Sequence, residues 1–350
     1  MALTVDIDKR SGFCGGVIRA ISNAEEFLDT NPGKTLYSLG AIVHNEAELS
    51  RLGSKGLTTI SKEDIGNIQS PDNETLLIRA HGEPPSTYEL AAKVGVNVID
   101  CTCPVVLRLQ HDIREVYSRL NGGVACSGGS TASLRSAPPI ASDGSLPLNV
   151  PRVAVVSPSG QATPPEPTLP DKGQIIIYGK IGHAEVMGLL GQIGGDAVVV
   201  ENMEMLVAAL ESGTIRTDVQ LEIFSQTTKS PTEYAEICSV LSGKARAGLT
   251  VHNTICKQVA SRHTELADFA SSHDIIIFVS GASSSNGKVL CDLCRRRNPR
   301  THHISDPGEI DPAWFGPDDR VGVCGATSTP RWLLEEVAKR ILFALSVSFY

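Results

Sequence analysis

VNVIDCTCPVVLRLQHDIREVY, residues 96–117, runs from a β-branched stretch through a cysteine straight into a pattern with helical spacing. The first part reads as a strand and the second as an amphipathic helix. Pro104 suits the first turn of that helix, which puts Cys103 at the junction. Two other stretches repeat the arrangement. LTVDIDKRSGFC (3–14) precedes VIRAISNAEEFL (17–28), and LTVHNTIC (249–256) precedes KQVASRHTELADFA (257–270). Cys14, Cys103 and Cys256 thus sit at equivalent strand-to-helix junctions, as three copies of one α/β unit aimed at a common point would place them. Three thiolates fall one short of a tetrahedral set, so whatever they hold keeps one position open for chemistry.

Short β-branched runs alternate with amphipathic segments along the rest of the chain. TLYSLG, TLLIRAHG, QIIIYGK, DAVVVEN, LEIFSQTT, IIIFVSG and RVGVCGA read as buried strands. NEAELSRLGSKG, PSTYELAAKVG, HAEVMGLLGQIG, PTEYAEICSVLSGKA and TPRWLLEEVAKRI lie between them as helices. Repeated β-then-α order predicts an α/β fold of mainly parallel sheets covered by helices, with the site built at the carboxyl ends of the strands. We divide the chain into three such domains, 1–102, 103–250 and 251–350, with one cysteine ligand each. Residues 121–173, dense in Ser, Pro, Gly and Ala, read as a mobile surface insertion. Cys126 within it is a poor candidate ligand.

Composition limits the function classes. The 350 residues, 41% hydrophobic and 20% charged, are ordinary for a globular enzyme of two or three domains. A net charge of −8 without a long basic stretch argues against nucleic acid as partner. No export-signal pattern opens the sequence, and the apolar ILFALSVSFY is too short to cross a bilayer, so we expect a cytoplasmic protein whose last segment packs on its body. Nine cysteines without such a signal suggest thiols or metal ligands rather than a disulfide framework.

Glycines flank Cys14 in GFCGGV and let the backbone approach a bulky inorganic group. A helix N-terminus favours the thiolate form. Soft ligands this far apart in sequence suit an iron–sulfur cluster better than zinc, whose ligands come in close pairs. A second set follows the strand ends: His44, His81 and His183, joined by Gln226, Thr227, Thr228, Ser284, Ser285, Asn286, Ser328 and Thr329. Imidazoles, hydroxyls and an amide converging at helix starts make a site for a diphosphate. Glu185, two residues after His183, is the obvious proton donor beside them.

GFCGGV, VHNEAE, RAHGEPP, DCTCP, GHAEVMG, FSQTT, SSNGK and GATSTP together resemble the LytB/IspH family of 4-hydroxy-3-methylbut-2-enyl diphosphate reductases, over nearly the whole chain outside the insertion. The resemblance implies three α/β domains in a trefoil around a central 4Fe–4S cluster held by Cys14, Cys103 and Cys256. It implies that His44, His81, His183, Thr228, Ser284, Ser285, Asn286 and Ser328 bind the diphosphate, and that Glu185 and Thr227 handle the C4 hydroxyl and its protonation. The implied reaction is a reductive dehydroxylation giving isopentenyl and dimethylallyl diphosphate, the last step of the methylerythritol phosphate route. Its low-potential electrons would come from a ferredoxin or flavodoxin, and Arg295, Arg296 and Arg297 are candidates for the docking patch.

This chain departs from the family pattern in three ways. Ser283 and Gly287 flank the Ser-Ser-Asn donors where the family has asparagine and serine. Cys101 and Cys324 lie near site motifs, but a fourth thiolate would block the open iron, so neither is taken as a ligand. The long insertion is not part of the expected pattern. Two rival readings exist. One is a dehydratase with the same cluster, needing no external reductant. The other is a zinc-bound nucleic-acid module on Cys291, Cys294, His302 and His303, whose spacing fits zinc poorly.

Overall fold

The computed structural model describes residues 3–121, 172–282 and 284–348. Most of the 121–173 segment, Cys126 and Ser283 lie outside the described residues.

Among the described residues, twelve parallel strands form three four-stranded sheets of one topology. In the first, β2 (Thr35–Leu39), β3 (Leu57–Ile60), β4 (Glu74–Ile78) and β5 (Asn97–Asp100) lie in the order β3-β2-β4-β5. In the second, β6 (Gln174–Tyr178), β7 (Val198–Val200), β8 (Leu221–Ser225) and β9 (Leu249–Val251) repeat it as β7-β6-β8-β9. The third orders β10 (Ile275–Val279), β11 (Thr301–Ile304) and β12 (Arg320–Gly325) as β11-β10-β12 and takes its fourth strand from the other end of the chain, β1 (Thr4–Ile7). Val5 pairs with Val321 and Ile7 with Val323. The boundaries 1–102 and 251–350 are corrected accordingly: residues 4–7 complete the C-terminal sheet, and β9 runs across 250/251. Nothing local marks β1 as foreign to its neighbours in sequence; only pairing decides its sheet. The short runs LTTI and THHI, β3 and β11, escaped sequence reading because outer strands of a sheet need little apolar patterning.

Each cysteine sits where the chain leaves one sheet and starts the helix of the next. After β1, helix α1 (Gly15–Thr30) packs Ala20, Ile21 and Ala24 against Leu36 and Leu77 of the first sheet. The next helices are α2 (Glu46–Ser54) and α3 (Pro85–Val94). After β5, α4 (Pro104–Leu120) packs Leu109, Ile113 and Val116 on Ile175 and Ile177 of the second sheet. Burying each of those three contributes about 1.5–3 kcal/mol before ordering entropy is counted. Helices α5 (Ala184–Gln192), α6 (Met203–Glu211) and α7 (Pro231–Lys244) complete that unit. After β9, α8 (Lys257–Ser271) packs Leu266 and Ala270 on Ile276 and Phe278 of the third sheet. The chain closes with α9 (Ser285–Arg297) and α10 (Arg331–Ser348). In α10, Ile341 is buried whereas Leu342 and Phe343 are exposed, and the side chains of 344–350 lie outside the described ones. Among the described residues no helix is long and apolar enough to cross a membrane.

Candidate active site

The repeated topology delivers chemistry from three strand ends per unit. The first strands, β2, β6 and β10, lead to His44, to His183 with Glu185, and to Ser284 with Asn286. The third strands, β4, β8 and β12, lead to His81, to Thr227 with Thr228, and to Ser328. The fourth strands, β5, β9 and β1, lead to the cysteines. Hydrogen bonds lock third to fourth: Cys103 N–H donates to Ala80 O (3.0 Å), Cys256 N–H to Thr227 O (2.9 Å) and Cys14 N–H to Thr327 O (3.3 Å). Each thiol is therefore held in register with a loop that carries polar groups.

All three cysteines occupy N-cap positions with extended backbone, and none uses its sulfur as the cap. Their carbonyls start the helices, accepting from Ile18, Leu107 and Ala260 at 2.9 Å each. The sulfurs are left to face one cavity of about 170 Å3 that all three line. A Cβ placed on Gly16 would meet Cys103 Cβ and Sγ at 3.1 Å, so the α1 backbone already lies against that sulfur. Burial pushes the Cys14 thiol up, outweighing the opposing pull of the nearby Val17 and Gly16 N–H groups, and the neighbouring Cys103 and Cys256 push it further. The helix end alone therefore does not make Cys14 an anion in the apoprotein, contrary to the simple capping argument. Three soft sulfurs, a glycine-lined approach and, among the described residues, no fourth thiol on the cavity fit a cluster that leaves one metal without a protein ligand. Cys101 instead is fully buried and accepts from Asn23 Nδ2 (3.2 Å), and Cys324 lies in the core with Cys291 and Cys294.

The same cavity is lined by polar side chains as well. The rings of His44, His81 and His183 lie 5.4, 6.2 and 5.1 Å apart pairwise, and their ligating nitrogens all fall within 4.8 Å of one another. Burial holds all three below the usual histidine range. The Arg79 guanidinium adds to the effect at all three, the His183 and His44 imidazoles add to it at His81, and His44 adds to it at His183, which falls to about 4. His183 Nδ1 accepts the Glu185 N–H (3.2 Å), which leaves Nε2 to carry the proton. The site thus offers neutral N–H donors in a positive potential, which favours an anion over a cation. His81 Nδ1 and Asn286 Oδ1 are buried without partners, polar atoms that a ligand can engage. Ser284 Oγ and Ser328 Oγ meet at 3.1 Å, and Thr228 Oγ1 accepts from Gln226 Nε2 (2.9 Å). The Ser285 side chain lies outside the described ones.

Glu185 is the one carboxylate among the described residues lining the cavity. Its Oε1 accepts Thr227 N–H (2.7 Å) and its Oε2 accepts Thr227 Oγ1–H (2.8 Å). Burial raises its pKa to about 7, with the Thr227 bonds pulling the other way. A carboxyl that exchanges its proton near neutrality is suited to general acid work.

Sequence reading missed Lys180 and Gln258, which line the cavity, and Arg79, which sets its potential. Position was the available signal: Lys180 follows β6, Arg79 follows β4, and Gln258 lies two residues after Cys256. The triple arginine, by contrast, ends α9 about 15 Å along the helix from Asn286 and lines neither this cavity nor the second one described below. The zinc-module reading also fails. Cys291 and Cys294 are buried core residues, His302 stacks on Trp314, and His303 meets Ser280 Oγ at 2.8 Å.

The described LytB protein family matches residues 5–126 and 167–342. The 4-hydroxy-3-methylbut-2-enyl diphosphate reductase of Bacteroides thetaiotaomicron is 39% identical over 341 residues, covering 97% of this chain and 98% of its own. That of Porphyromonas gingivalis is 40% identical over 342 residues, with 97% and 98% covered. A solved (E)-4-hydroxy-3-methyl-but-2-enyl diphosphate reductase, described as the terminal enzyme of the non-mevalonate pathway, superposes with a TM-score of 0.62 at 27% identity. It covers 98% of this chain and 100% of that one. The Plasmodium falciparum reductase structure shares the fold with a TM-score of 0.72 at 22% identity, covering 97% and 88%. Sequence match across both halves of the chain, and a three-unit architecture shared with solved members, make this chain a member of the LytB family.

Proposed function

We propose that this chain reduces 4-hydroxy-3-methylbut-2-enyl diphosphate to isopentenyl and dimethylallyl diphosphate. The observation that carries the reading is one cavity lined by Cys14, Cys103 and Cys256 together with neutral imidazoles, small hydroxyls and Glu185. The substrate has three chemically distinct parts, and the cavity offers a complement to each. The diphosphate finds N–H and O–H donors from His44, His81, His183, Thr228, Ser284 and Ser328 in a potential made positive by Arg79 and Lys180, with Asn286 beside them. The C5 chain finds apolar surface from Ile42, Val43 and Val259. The C4 oxygen finds the Glu185–Thr227 pair.

Cys14, Cys103 and Cys256 would hold a 4Fe–4S cluster. When bound, that cluster supplies single electrons and a Lewis-acidic iron without a protein ligand. The chain's own residues do the rest. The donors anchor the diphosphate, so remote binding energy orients the alcohol. Glu185, protonated below about pH 7, gives its proton by way of the Thr227 hydroxyl, since hydroxide alone is a poor leaving group. Overall the allylic alcohol takes up two electrons and two protons and releases water, while the diphosphate is retained. None of the described cysteines is in a disulfide, which suits the reducing cytoplasm we assign to the protein.

The test is anaerobic reconstitution with iron and sulfide, then turnover of the diphosphate substrate with a reduced viologen. Both C5 products should appear, and only when reductant is present. Water loss without reductant would select the dehydratase reading. A Cys103→Ala chain that still binds four irons and turns over would remove the ligand assignment.

A further inference from the structure

A second cavity of about 730 Å3 is also lined by the same three thiols. It shares Cys14, Cys103 and Cys256 with the first cavity but none of the histidines, serines or Glu185. Its charged lining is Arg19, Arg108 and Lys257 against the single carboxylate of Asp112, with His252 beside them. All three cations are exposed, and they come from α1, α4 and α8, the helices that the cysteines cap. Arg108 keeps 85% of its side chain in solvent, with Asp112 3.8 Å away. Val105, 42% exposed, adds an apolar contact on the same wall.

We infer that this groove is the docking surface for a small acidic protein carrying a one-electron redox centre. The inference rests on the reductase reading above and names where its electrons enter. Electron transfer falls off steeply with distance, so a donor protein must seat where the thiols come nearest the surface without obstructing the substrate. The groove reaches all three thiols and shares none of the histidines, serines or Glu185 of the first cavity. A cationic patch on a chain of net charge −8 also orients an acidic partner, because the rest of the surface repels it. Two successive encounters, each oxidising one donor by one electron, supply the two electrons that accompany two protons in releasing water.

The test uses iron-loaded protein and a reduced acidic two-iron, two-sulfur ferredoxin as probe. In Arg19→Glu/Arg108→Glu, the KM for ferredoxin should rise about tenfold or more at low ionic strength, and the gap should shrink as salt screens it. Iron content and turnover with reduced viologen should stay at the wild-type level. Reversing Arg295, Arg296 and Arg297 to Glu should change neither. Unchanged ferredoxin kinetics in the double variant would overturn the proposal, as would finding the loss in the triple variant instead. Absence of wild-type turnover with viologen would sink the reductase reading. Calorimetric titration with ferredoxin would then still judge the surface, since only a docking groove loses affinity in the double variant.

Discussion

Gly16 offers a sharp test because its two consequences point in opposite directions. Replacing it with Ala adds a Cβ at the second position of α1, where helix propensity rises by at most about 1 kcal/mol. That same atom lands 3.1 Å from Cys103 Cβ and Sγ, against an optimal separation of about 3.5–4.0 Å. Cys103 has to yield by roughly half an ångström, yet its amide is held by Ala80 O at 3.0 Å and Pro104 fixes the next residue. Metal sites tolerate ligand displacements of only about 0.2 Å. Gly16→Ala should therefore leave the iron-free protein as heat-stable as wild type or slightly more so, while cluster assembly fails or yields a labile, incomplete centre. Gly15→Ala is the control: its Cβ meets nothing within 4 Å, and it should assemble normally. The assay is iron and sulfide per chain after anaerobic reconstitution, the paramagnetic resonance spectrum of the reduced protein, and the Tm of the apoprotein. A Gly16→Ala chain with full iron, full sulfide and an unchanged spectrum would refute the argument, and so would equal losses in the two variants.

Glu185→Gln should bind the diphosphate with nearly unchanged affinity while kcat falls about 10²–10⁴-fold, the usual contribution of a positioned acid; parallel losses in both would remove the proton-donor role. The same variant should be more heat-stable than wild type above pH 7. Burial raises the Glu185 pKa from 4.5 to about 7, so its protonated form costs nothing below pH 4.5 and its ionisation destabilises the fold progressively as pH climbs through 7, by at most about 3 kcal/mol. Melting curves at pH 5 and 8.5 check this, with a gain expected only at the higher pH. Thr227→Val deletes a hydroxyl that lowers the Glu185 pKa, so the alkaline limb of the kcat profile should move to higher pH; a shift to lower pH would contradict the geometry. Cys101→Ala and Cys324→Ala should each retain full iron, since neither sulfur lines the cavity, whereas loss of iron in either would add a ligand.

Much of the site was legible because the chain repeats itself. Periodicity revealed the strands and helices, and a cysteine at three matching junctions signalled convergence before any contact was known. His44, His81 and His183 could be grouped for the same reason, since each follows a strand in one topology. Lys180 and Arg79 were missed because a single cation after a strand resembles any solvated residue; only their effect on the buried imidazoles marks them out. The arginine run at 295–297 shows the converse, lining neither cavity. Its charge density is visible in sequence, but the axis of α9 carries it away from the thiols. The groove cations, Arg19, Arg108 and Lys257, are scattered along 239 positions and become neighbours only because the three capped helices converge.

The sequence by itself determined the α/β units, the strand-to-helix placement of the three thiols and the set of polar groups that accompanies them, because these are local properties of periodicity and residue chemistry. Tertiary structure alone decided that Thr4–Ile7 completes the C-terminal sheet, that buried Glu185 takes both Thr227 donors, and that the thiols line both a histidine-bearing cavity and a cationic groove. Strand pairing, desolvation and summed electrostatic potential depend on what lies nearby in space, and no local stretch of chain encodes that.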